Sequence, residues 1–426
     1  MKLEEKRILF GCVADDFTGA SDAASFLVDR GINTVLLNGI PNLDFTLDSS
    51  VKAIVIALQI RTSQVNEATS KALRAFDFLK QLGARQIYFK YCSTFDSTRE
   101  GNIGPIIDRI LEKYDIPYTI LCPSMIANGR VVRDGELYVK GIPLNESHMK
   151  NHPLTPMLES DIAKLMEPQG KYPSLKINAL TLEKSNDEIE EIINDFHIKH
   201  KRFYIIPDYF LEEHGERIVE LFGDLPFLTG GSGLVNHLGM KFLMDIPKDE
   251  INIPIKGIAG RGLILAGSCS TATLAQIKNY QDTNQLSYKI YPKRLLSGEQ
   301  SVDTIWDFII ENEGKNILIY SSDIPEKVRK AQTFGREIIS NLIEKTMAEI
   351  SARAVKYGIR KIIVAGGETS GVVTKALGFT SYRIGQSIAP GVPIMIPLED
   401  ESIRLVLKSG NFGQEDFFQR TLNILE

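Results

Sequence analysis

Short apolar runs alternate with longer segments of helical period along most of this chain. In the first half, the apolar runs are rich in β-branched residues and lie at residues 8–14, 34–37, 53–58, 86–91 and 119–122. Between the third and fourth runs, apolar side chains recur at the spacing of one helical stripe, at Ala68, Ala72, Ala75, Phe76 and Leu79. Strands that alternate with helices in this way predict a mostly parallel sheet with helices on both faces.

The alternation is interrupted once and then resumes. Residues 133–141 predict a small β excursion, and the proline-bearing residues 142–172 predict an irregular insertion. The pattern then returns with apolar runs and helical segments at residues 174–180, 187–197, 203–207, 212–222 and 226–229.

A second β-α series follows a candidate linker. Residues 245–261 contain prolines and glycines without a sustained amphipathic period. The later apolar runs lie at residues 262–266, 287–291, 316–320, 361–365 and 403–408, with a long helix predicted over 326–357 and a final one over 414–425. We therefore predict an α/β protein of two domains with mostly parallel sheets, residues 1–244 and 262–426, and an active-site cleft between them.

Composition and charge narrow the class of protein. Apolar residues make up 43% and charged residues 24% of the chain, as in ordinary soluble proteins. The net charge is −5 and no basic block occurs, so neither nucleic acid nor a membrane surface is an expected partner. The four cysteines form no CxxC pair, and the charged N-terminal segment lacks the apolar core of a signal peptide. We expect a reduced, cytoplasmic protein, and a homo-oligomer is compatible with the sequence.

Candidate chemistry lies where strands end, because ligands of open α/β sheets bind beyond the carboxyl ends of the strands. The first strand is followed by Asp15 and Asp16, whose adjacent charges need a cation or a helix N-terminus to stabilise them. For Asp16, a cap on the following helix and a catalytic carboxylate are equally compatible with the sequence. Arg61 follows the third strand and could fork onto a carboxylate, or be an exposed surface charge.

The next strand ends in a polar loop. Its candidate substrate-binding residues are Lys90, Ser93, Thr94, Asp96 and Ser97. Such a loop suits a polyhydroxylated anion, although a plain Ser/Thr turn is the alternative. Arg130, after the following strand, is a further candidate cation.

The second half carries glycine-rich loops after three of its strands, at residues 267–271, 366–371 and 408–413. Glycines let backbone N–H groups approach a phosphate, and helix N-termini favour its negative charge. Three such loops together predict a nucleotide site. Neither the Walker loop nor the GxGxxG fingerprint occurs, which disfavours a P-loop kinase and a Rossmann dehydrogenase.

Several blocks of the sequence resemble the four-carbon acid sugar kinase family. They are ADDFTGA at 14–20, KYCSTFDSTREGNIGP at 90–105, HPLTPM at 152–157, GSCS at 267–270, VAGGETSG at 364–371 and KSGNFG at 408–413. The resemblance implies an N-terminal sugar-acid-binding domain and a C-terminal nucleotide-binding domain. Members of the family phosphorylate four-carbon sugar acids with ATP. The blocks are most similar to the branch that acts on the C4 hydroxyl of 3-oxo-tetronates.

The resemblance also assigns residues to roles. It implies ATP contacts, within the glycine loops, from Ser268, Gly367, Glu368, Thr369, Ser370 and Gly410, and Gly366 of the same loop is a further candidate. Phosphoryl transfer from ATP implies Mg²⁺ as well. From their position at the ends of strands rather than from the resemblance, Asp15 or Asp16 is the expected base, with Asp96 in reserve, and the substrate carboxylate is expected on Arg61, Lys90 or Arg130. The alternatives are a sibling kinase for D-threonate, D-erythronate or a branched acid, and a non-catalytic sensor of sugar acid and nucleotide.

Overall fold

Two compact units make up the chain. The structure, a computed structural model, describes residues 8–41, 47–152, 155–251, 255–324, 326–327, 329 and 335–426. Its internal contacts divide the chain into Met1–Asn252 and Ile253–Glu426. The division falls inside residues 245–261, the predicted linker.

The first unit is built on a parallel sheet. Its strands are β1 (Phe10–Ala14), β2 (Thr34–Asn38), β3 (Ala53–Ala57), β4 (Gln86–Lys90), β5 (Tyr118–Cys122), β9 (Ser174–Ile177), β10 (Phe203–Pro207) and β11 (Phe227–Gly230). They lie side by side in the order β2-β3-β1-β4-β11-β5-β10-β9, and each neighbouring pair is parallel. The central strands β1 and β3 are buried along their whole length, which explains their uninterrupted apolar sequence.

The helices of the first unit follow the predicted alternation. They are α1 (Phe17–Asp29), α2 (Val65–Gln81), α3 (Ile103–Lys113), α4 (Ile162–Met166), α5 (Ala179–Leu182), α6 (Asn186–Lys199), α7 (Glu212–Phe222) and α8 (Ser232–Leu243). In α2 the predicted apolar stripe is the buried face. Ser185 and Glu188 form a capping box that fixes the start of α6.

The strand order places a crevice at one edge of this sheet. From β1 the chain passes to β2 on one side, whereas from β4 it passes to β5 on the other side. Two adjacent strands with connections in opposite directions leave a crevice between the loops at their carboxyl ends, the usual ligand position in such sheets. Asp15 is the first residue after β1, and Lys90 is the last residue of β4. Both residues therefore lie at this crevice.

The insertion is more regular than the sequence predicted. An antiparallel sheet comprises β6 (Arg130–Arg133), β7 (Glu136–Val139) and β8 (Ile142–Pro143). Within residues 142–172, predicted to be irregular, the structure has α4, whose first turn is capped by the Asp161 carboxylate. A helix this short leaves too few apolar repeats for its period to be recognised.

The second unit has a mixed sheet. Its strands are β12 (Gly262–Ala266), β13 (Leu286–Lys289), β14 (Ile317–Tyr320), β15 (Lys361–Ala365), β16 (Ser381–Ala389), β17 (Val392–Pro397) and β18 (Arg404–Lys408). The order β13-β14-β12-β15-β18 is parallel, and β17 and β16 continue from β18 as antiparallel strands. The sequence pattern did not predict the β16–β17 hairpin, because a register shift between Ile384 and Ser387 breaks its alternation.

Helices again connect the parallel strands. They are α9 (Thr271–Asp282), α10 (Pro292–Ser297), α11 (Val302–Glu311), α12 (Arg336–Tyr357), α13 (Gly367–Leu377) and α14 (Phe417–Ile424). The long helix predicted over 326–357 is described as α12 from Arg336 onward, and most of residues 325–334 lie outside the described residues. The chain leaves β12 and β15 in opposite directions, so a second crevice lies between their loops. In the described part of the chain, no helix is long and apolar enough to cross a membrane.

Candidate active site

A cluster of carboxylates surrounds one arginine at the crevice of the first unit. Arg61 donates from Nε and Nη2 to the two carboxylate oxygens of Asp15, at 2.8 and 3.0 Å. The same Nη2 lies 2.9 Å from Asp16 Oδ2, and Nη1 lies 3.7 Å from Asp96 Oδ2. The guanidinium therefore joins the loops after β1, β3 and β4, as a parallel order of β3-β1-β4 requires.

The two neighbouring aspartates differ in their environment. The Asp15 side chain is 7% exposed, and burial raises its pKa despite the opposing charge of Arg61. Burial alone would also raise the pKa of Asp16, but the charges of Arg61 and Lys90 and the Gly19 N–H outweigh it and hold that pKa below its usual value. Asp16 is 30% exposed at its side chain, and it caps α1 by accepting from Gly19 N at 2.6 Å. Asp16 is therefore the ionised carboxylate that a ligand can reach.

Lys90, the last residue of β4, supplies a buried cation beside this pair. It is 4% exposed, and the charges of Asp16 and Asp15 outweigh the effect of its burial and raise its pKa. Across the described ranges of the chain, no oxygen makes a hydrogen bond with its Nζ. A charged ammonium in this state has donors available for an incoming anion.

Gly19 makes room for this ammonium. A Cβ at position 19 would collide with Lys90 Nζ and lie 2.5 Å from Asp16 Oδ1. The glycine sits in the first turn of α1 with no positive φ, so alanine would fit its backbone conformation. Glycine is therefore required at position 19 for a steric reason, because a larger residue would collide with Lys90 and Asp16.

We expect Gly19→Ala to lower turnover about tenfold or more while leaving the melting temperature within a few degrees, since helix propensity favours alanine by up to ~1 kcal/mol. Steady-state assays and thermal melts measure the two effects. Gly239→Ala is the matched control, because a Cβ there would lie 3.3 Å from the flexible Arg30 side chain, inside α8. Equal activity of the two variants would contradict the steric role of Gly19.

The polar loop after β4 adopts a strained backbone. Phe95 and Asp96 have φ angles of +63° and +24°, which residues with side chains rarely adopt. Thr94 Oγ1 donates to Asp96 Oδ1 at 2.7 Å, and the buried Phe95 ring packs on Tyr91 with centroids 5.5 Å apart. The strain aims Asp96 at Arg61, and such conformations concentrate at functional sites. Ser93 lies in the same loop, half-buried.

Two residues outside the predicted site hold these loops in place. Asn102 donates from Nδ2 to the carbonyls of Ile60 and Ser63, at 2.7 and 2.9 Å, on either side of Arg61. Gln169 accepts from Ser97 Oγ at 2.9 Å and from the first turn of α3. The position of Asn102 at the end of a motif block was a signal for its role. Gln169 lies in the insertion, and the sequence around it gave no signal of this role.

Arg130 does not join the cluster around Arg61. Its Nη1 donates to Asn128 O at 2.5 Å, and its buried Nε has no hydrogen-bond partner among the described residues. No carboxylate of the described residues pairs with it. It is therefore a second cation with free donors, at the start of β6, the strand that follows β5 in the chain.

Three glycine loops meet at the crevice of the second unit. Gly366 has a φ of +129°, and a Cβ on it would lie 3.0 Å from Ser268 N. A Cβ on Gly410 would collide with Ser268 Oγ. Thr369 Oγ1 occupies the space beside Gly267. The absence of side chains at these glycines thus allows the loops after β12, β15 and β18 to approach each other.

The first turn of α13 adds polar groups to this crevice. Gly367 faces open space, and Glu368 is exposed in the same turn. Ser370 is buried, and its Oγ has no partner within the described residues. Helix N–H groups, a carboxylate and a hydroxyl are suited to a phosphorylated ligand. No group of three or more metal-ligating side chains occurs in the described part of the chain.

Comparison with known proteins gives matches over nearly the whole chain. The family model of a sugar-binding N-terminal domain matches residues 10–238, and that of a nucleotide-binding C-terminal domain matches residues 263–418. The 3-oxo-tetronate kinase of Haemophilus influenzae is 38% identical over 414 residues, which cover 96% of this chain and 98% of that protein. The 3-oxo-tetronate kinase of Burkholderia multivorans is 38% identical over 429 residues, covering 100% and 99%.

A solved structure is similar as well. The crystal structure of a Haemophilus influenzae protein matches with a TM-score of 0.85 and 37% sequence identity, covering 98% of this chain and 100% of that one. The α/β fold predicted from the sequence is therefore confirmed, and so is the resemblance on which the family assignment depended.

Proposed function

We propose, from the premise that this chain belongs to the four-carbon acid sugar kinase family, that it is an ATP-dependent 3-oxo-tetronate kinase. The reaction transfers the γ-phosphoryl group of ATP to the C4 hydroxyl of a 3-oxo-tetronate and yields the 4-phosphate. The names of relatives at 38% identity over nearly the full chain support the activity. The observation that carries the proposal is the Asp15–Arg61–Asp16 cluster beside Lys90, whose charges suit an anionic acceptor and its hydroxyl.

Asp16 is the base in this proposal. Its carboxylate is ionised, is 30% exposed, and is held in place by Gly19 N and Arg61. It accepts the proton of the C4 hydroxyl as that oxygen bonds to phosphorus, the role that a carboxylate plays in other kinases. Asp15, buried and bound by both arms of the Arg61 fork, positions the guanidinium and acts through it.

Lys90 and Arg130 receive the negative charge of the substrate. The fork of Arg61 is engaged by Asp15, so it is not open for a substrate carboxylate. Lys90 lies next to the base, where the acceptor oxygen and the incoming phosphoryl group meet, and it neutralises charge there. Arg130 can bind the carboxylate at the far end of the acid through its free donors. The loop with Ser93, Thr94 and Ser97 binds hydroxyl groups.

ATP binds the glycine loops of the second unit in this proposal. Backbone N–H groups around Ser268, Gly366 and Gly410 bind phosphate oxygens, and Ser370 Oγ donates to one of them. Mg²⁺ is commonly held by one or two carboxylates together with substrate phosphates, and Glu368 fits that requirement. The ion would neutralise charge on the phosphate oxygens. Transfer requires the two ligands to meet at reacting distance, so the cleft between the domains stays a prediction.

The deciding experiment incubates the protein with ATP, Mg²⁺ and each four-carbon acid in turn, and identifies the product by mass spectrometry and NMR. We expect a 4-phosphate from one or both 3-oxo-tetronates and little turnover of D-threonate or D-erythronate. Preferential turnover of either of those acids would instead identify a sibling kinase. Binding of acid and nucleotide by calorimetry without ADP production would identify a sensor and contradict the proposal.

A further inference from the structure

The loop after β18, residues 409–414, has an unusual arrangement of its carbonyl groups. Lys408 Nζ donates to Ser409 O at 3.3 Å and to Gly410 O at 3.0 Å. Gly410 O also accepts from Ser270 Oγ at 2.6 Å and from Thr273 Oγ1 at 2.9 Å. Donors from β18 and α9 thus converge on the first two carbonyls of the loop.

A second buried donor holds the rest of the loop. Gln276 Nε2 lies 3.0 Å from the carbonyl oxygens of Phe412, Gly413 and Gln414. Gln276 is 1% exposed, as is Lys408. Side chains of α9 and β18 therefore draw nearly every carbonyl of the loop toward the interior.

Peptide geometry then fixes the direction of the amides. The chain has no cis peptide bond among its described residues, and in a trans peptide the C=O of one residue and the N–H of the next point in opposite directions. Inward carbonyls at Ser409, Gly410, Phe412 and Gly413 require outward N–H groups at the residues that follow them. These are the amides of Gly410, Asn411, Gly413 and Gln414, and none of them has a hydrogen-bond partner within the described residues. The exception, Phe412 N, donates to Ser409 O at 3.2 Å.

We propose that Lys408 and Gln276 are positioning residues for the nucleotide, because they hold the loop carbonyls inward and so present its amides to a phosphate group. A row of outward amides is an anion-binding concavity. Gly410 of this loop adjoins Ser268 of the β12 loop, so the amides face the same crevice as the other glycine loops. The inference rests on the proposed use of ATP and adds two residues that act on it through the backbone.

The surroundings of Lys408 provide a readout by pH. Burial lowers the pKa of Lys408 to about 8. Its neighbours are Thr273 of α9, Ala365 as register partner on β15, and the Phe417 ring of α14, 5.8 Å from Nζ. The titratable groups on the adjoining loops are Cys269, Glu368, Glu415 and Asp416, and burial is the sole cause of the shift. Above pH 8 the neutral amine keeps two N–H donors for three acceptors, so the loop loosens.

The effect on stability has the opposite sign. Because the folded pKa lies below the unfolded one, the unfolded chain binds more protons between pH 8 and the ordinary lysine pKa of 10.5. This group therefore increases the free energy of unfolding as pH rises through that window. A structural role alone predicts stability that rises with pH and no change in nucleotide affinity.

The test measures ATP binding by calorimetry, from pH 7 to 9, on the full chain. We expect the wild-type Kd to rise above pH 8. Lys408→Met should raise Kd about tenfold to a hundredfold already at pH 7 and abolish the pH dependence, as loss of a charged donor predicts. Gln276→Met should raise Kd at every pH and keep the pH dependence, and it serves if Lys408→Met does not fold.

Lys278→Met is the matched control, because Lys278 lies on the same helix with its side chain 78% exposed and paired to Asp282. Its Kd should equal that of the wild type. Wild-type affinity in both Lys408→Met and Gln276→Met would overturn the inference, as would a fall in kcat with unchanged Kd, which indicates direct contact with the transferred group. Failure of the wild type itself to bind ATP would contradict the proposed function instead.

Discussion

Asp16→Asn should lower kcat by about 10²–10⁴, the usual contribution of a positioned acid–base group. The asparagine keeps an oxygen that accepts from Gly19 N, so α1 stays capped, and asparagine is as good a cap as aspartate. What is lost is the capacity to take the proton of the C4 hydroxyl. Because the pKa of Asp16 is held below its usual value, the loss should be constant across neutral pH. A coupled assay of ADP release measures it.

Two further variants separate the base from its surroundings. Asp161→Asn is the matched control, since Asp161 also caps a helix and pairs with a lysine, Lys176, at 2.8 Å. It should retain wild-type turnover. Asp15→Asn removes one partner of a buried ion pair and should lower the melting temperature as well as activity. Turnover of Asp16→Asn above half the wild-type value would remove this residue from the proposed mechanism.

Lys90→Met should reduce kcat/KM by about 10²–10³, the scale measured for removing one preorganised donor from a charged transition state. Methionine fills the same buried volume without the charge. Because Lys90 helps to hold the pKa of Asp16 low, its loss should raise that pKa, and activity should fall at a higher pH on the acid side. A profile of kcat/KM against pH measures both effects.

The close contact between Gly19 and Lys90 allows a test that separates the charge of Lys90 from the size of its side chain. Lys90 Nζ and Cε lie where a Cβ on residue 19 would be, so we expect the larger guanidinium of Lys90→Arg not to support activity even though it keeps the charge. Lys113→Met, at an exposed lysine paired with Asp77, is the control and should behave as wild type. An unchanged acid limb in Lys90→Met would contradict the electrostatic link to Asp16.

The sequence patterns identified candidate site residues, but they did not indicate which side chains these residues contact in the folded protein. Asp15, Asp16 and Arg61 were identified because they follow apolar strands, and they do lie together. The sequence left open whether Asp16 is a cap or a charged site residue, and in the structure it is both. It left the substrate carboxylate open among Arg61, Lys90 and Arg130, and in the structure the Arg61 fork binds Asp15. That pairing follows from β3 lying beside β1, and strand order is not contained in a pattern of apolar runs.

The contacts of Gln169 and Gln276 could not be predicted from the sequence for the same physical reason. Gln169 acts on Ser97 from a distant part of the chain, so no local spacing connects them. Gln276 lies on α9, but its three carbonyl partners come from the loop after β18. The local periodicity of apolar residues predicts helices and strands, whereas these contacts depend on how the helices and strands pack against each other. Nothing in the order of residues around Gln169 or Gln276 distinguishes them from solvated glutamines.

The crevice that each unit forms by itself has a consequence for how such enzymes diversify. The loops that we propose to bind the acid belong to the first unit, whereas the glycine loops follow β12, β15 and β18 of the second unit. Substitutions that retune acceptor preference can therefore accumulate in one half without eroding affinity for the phosphoryl donor. In a lineage that changes its carbon source, we expect the second unit to stay nearly unchanged while substitutions accumulate in the first unit.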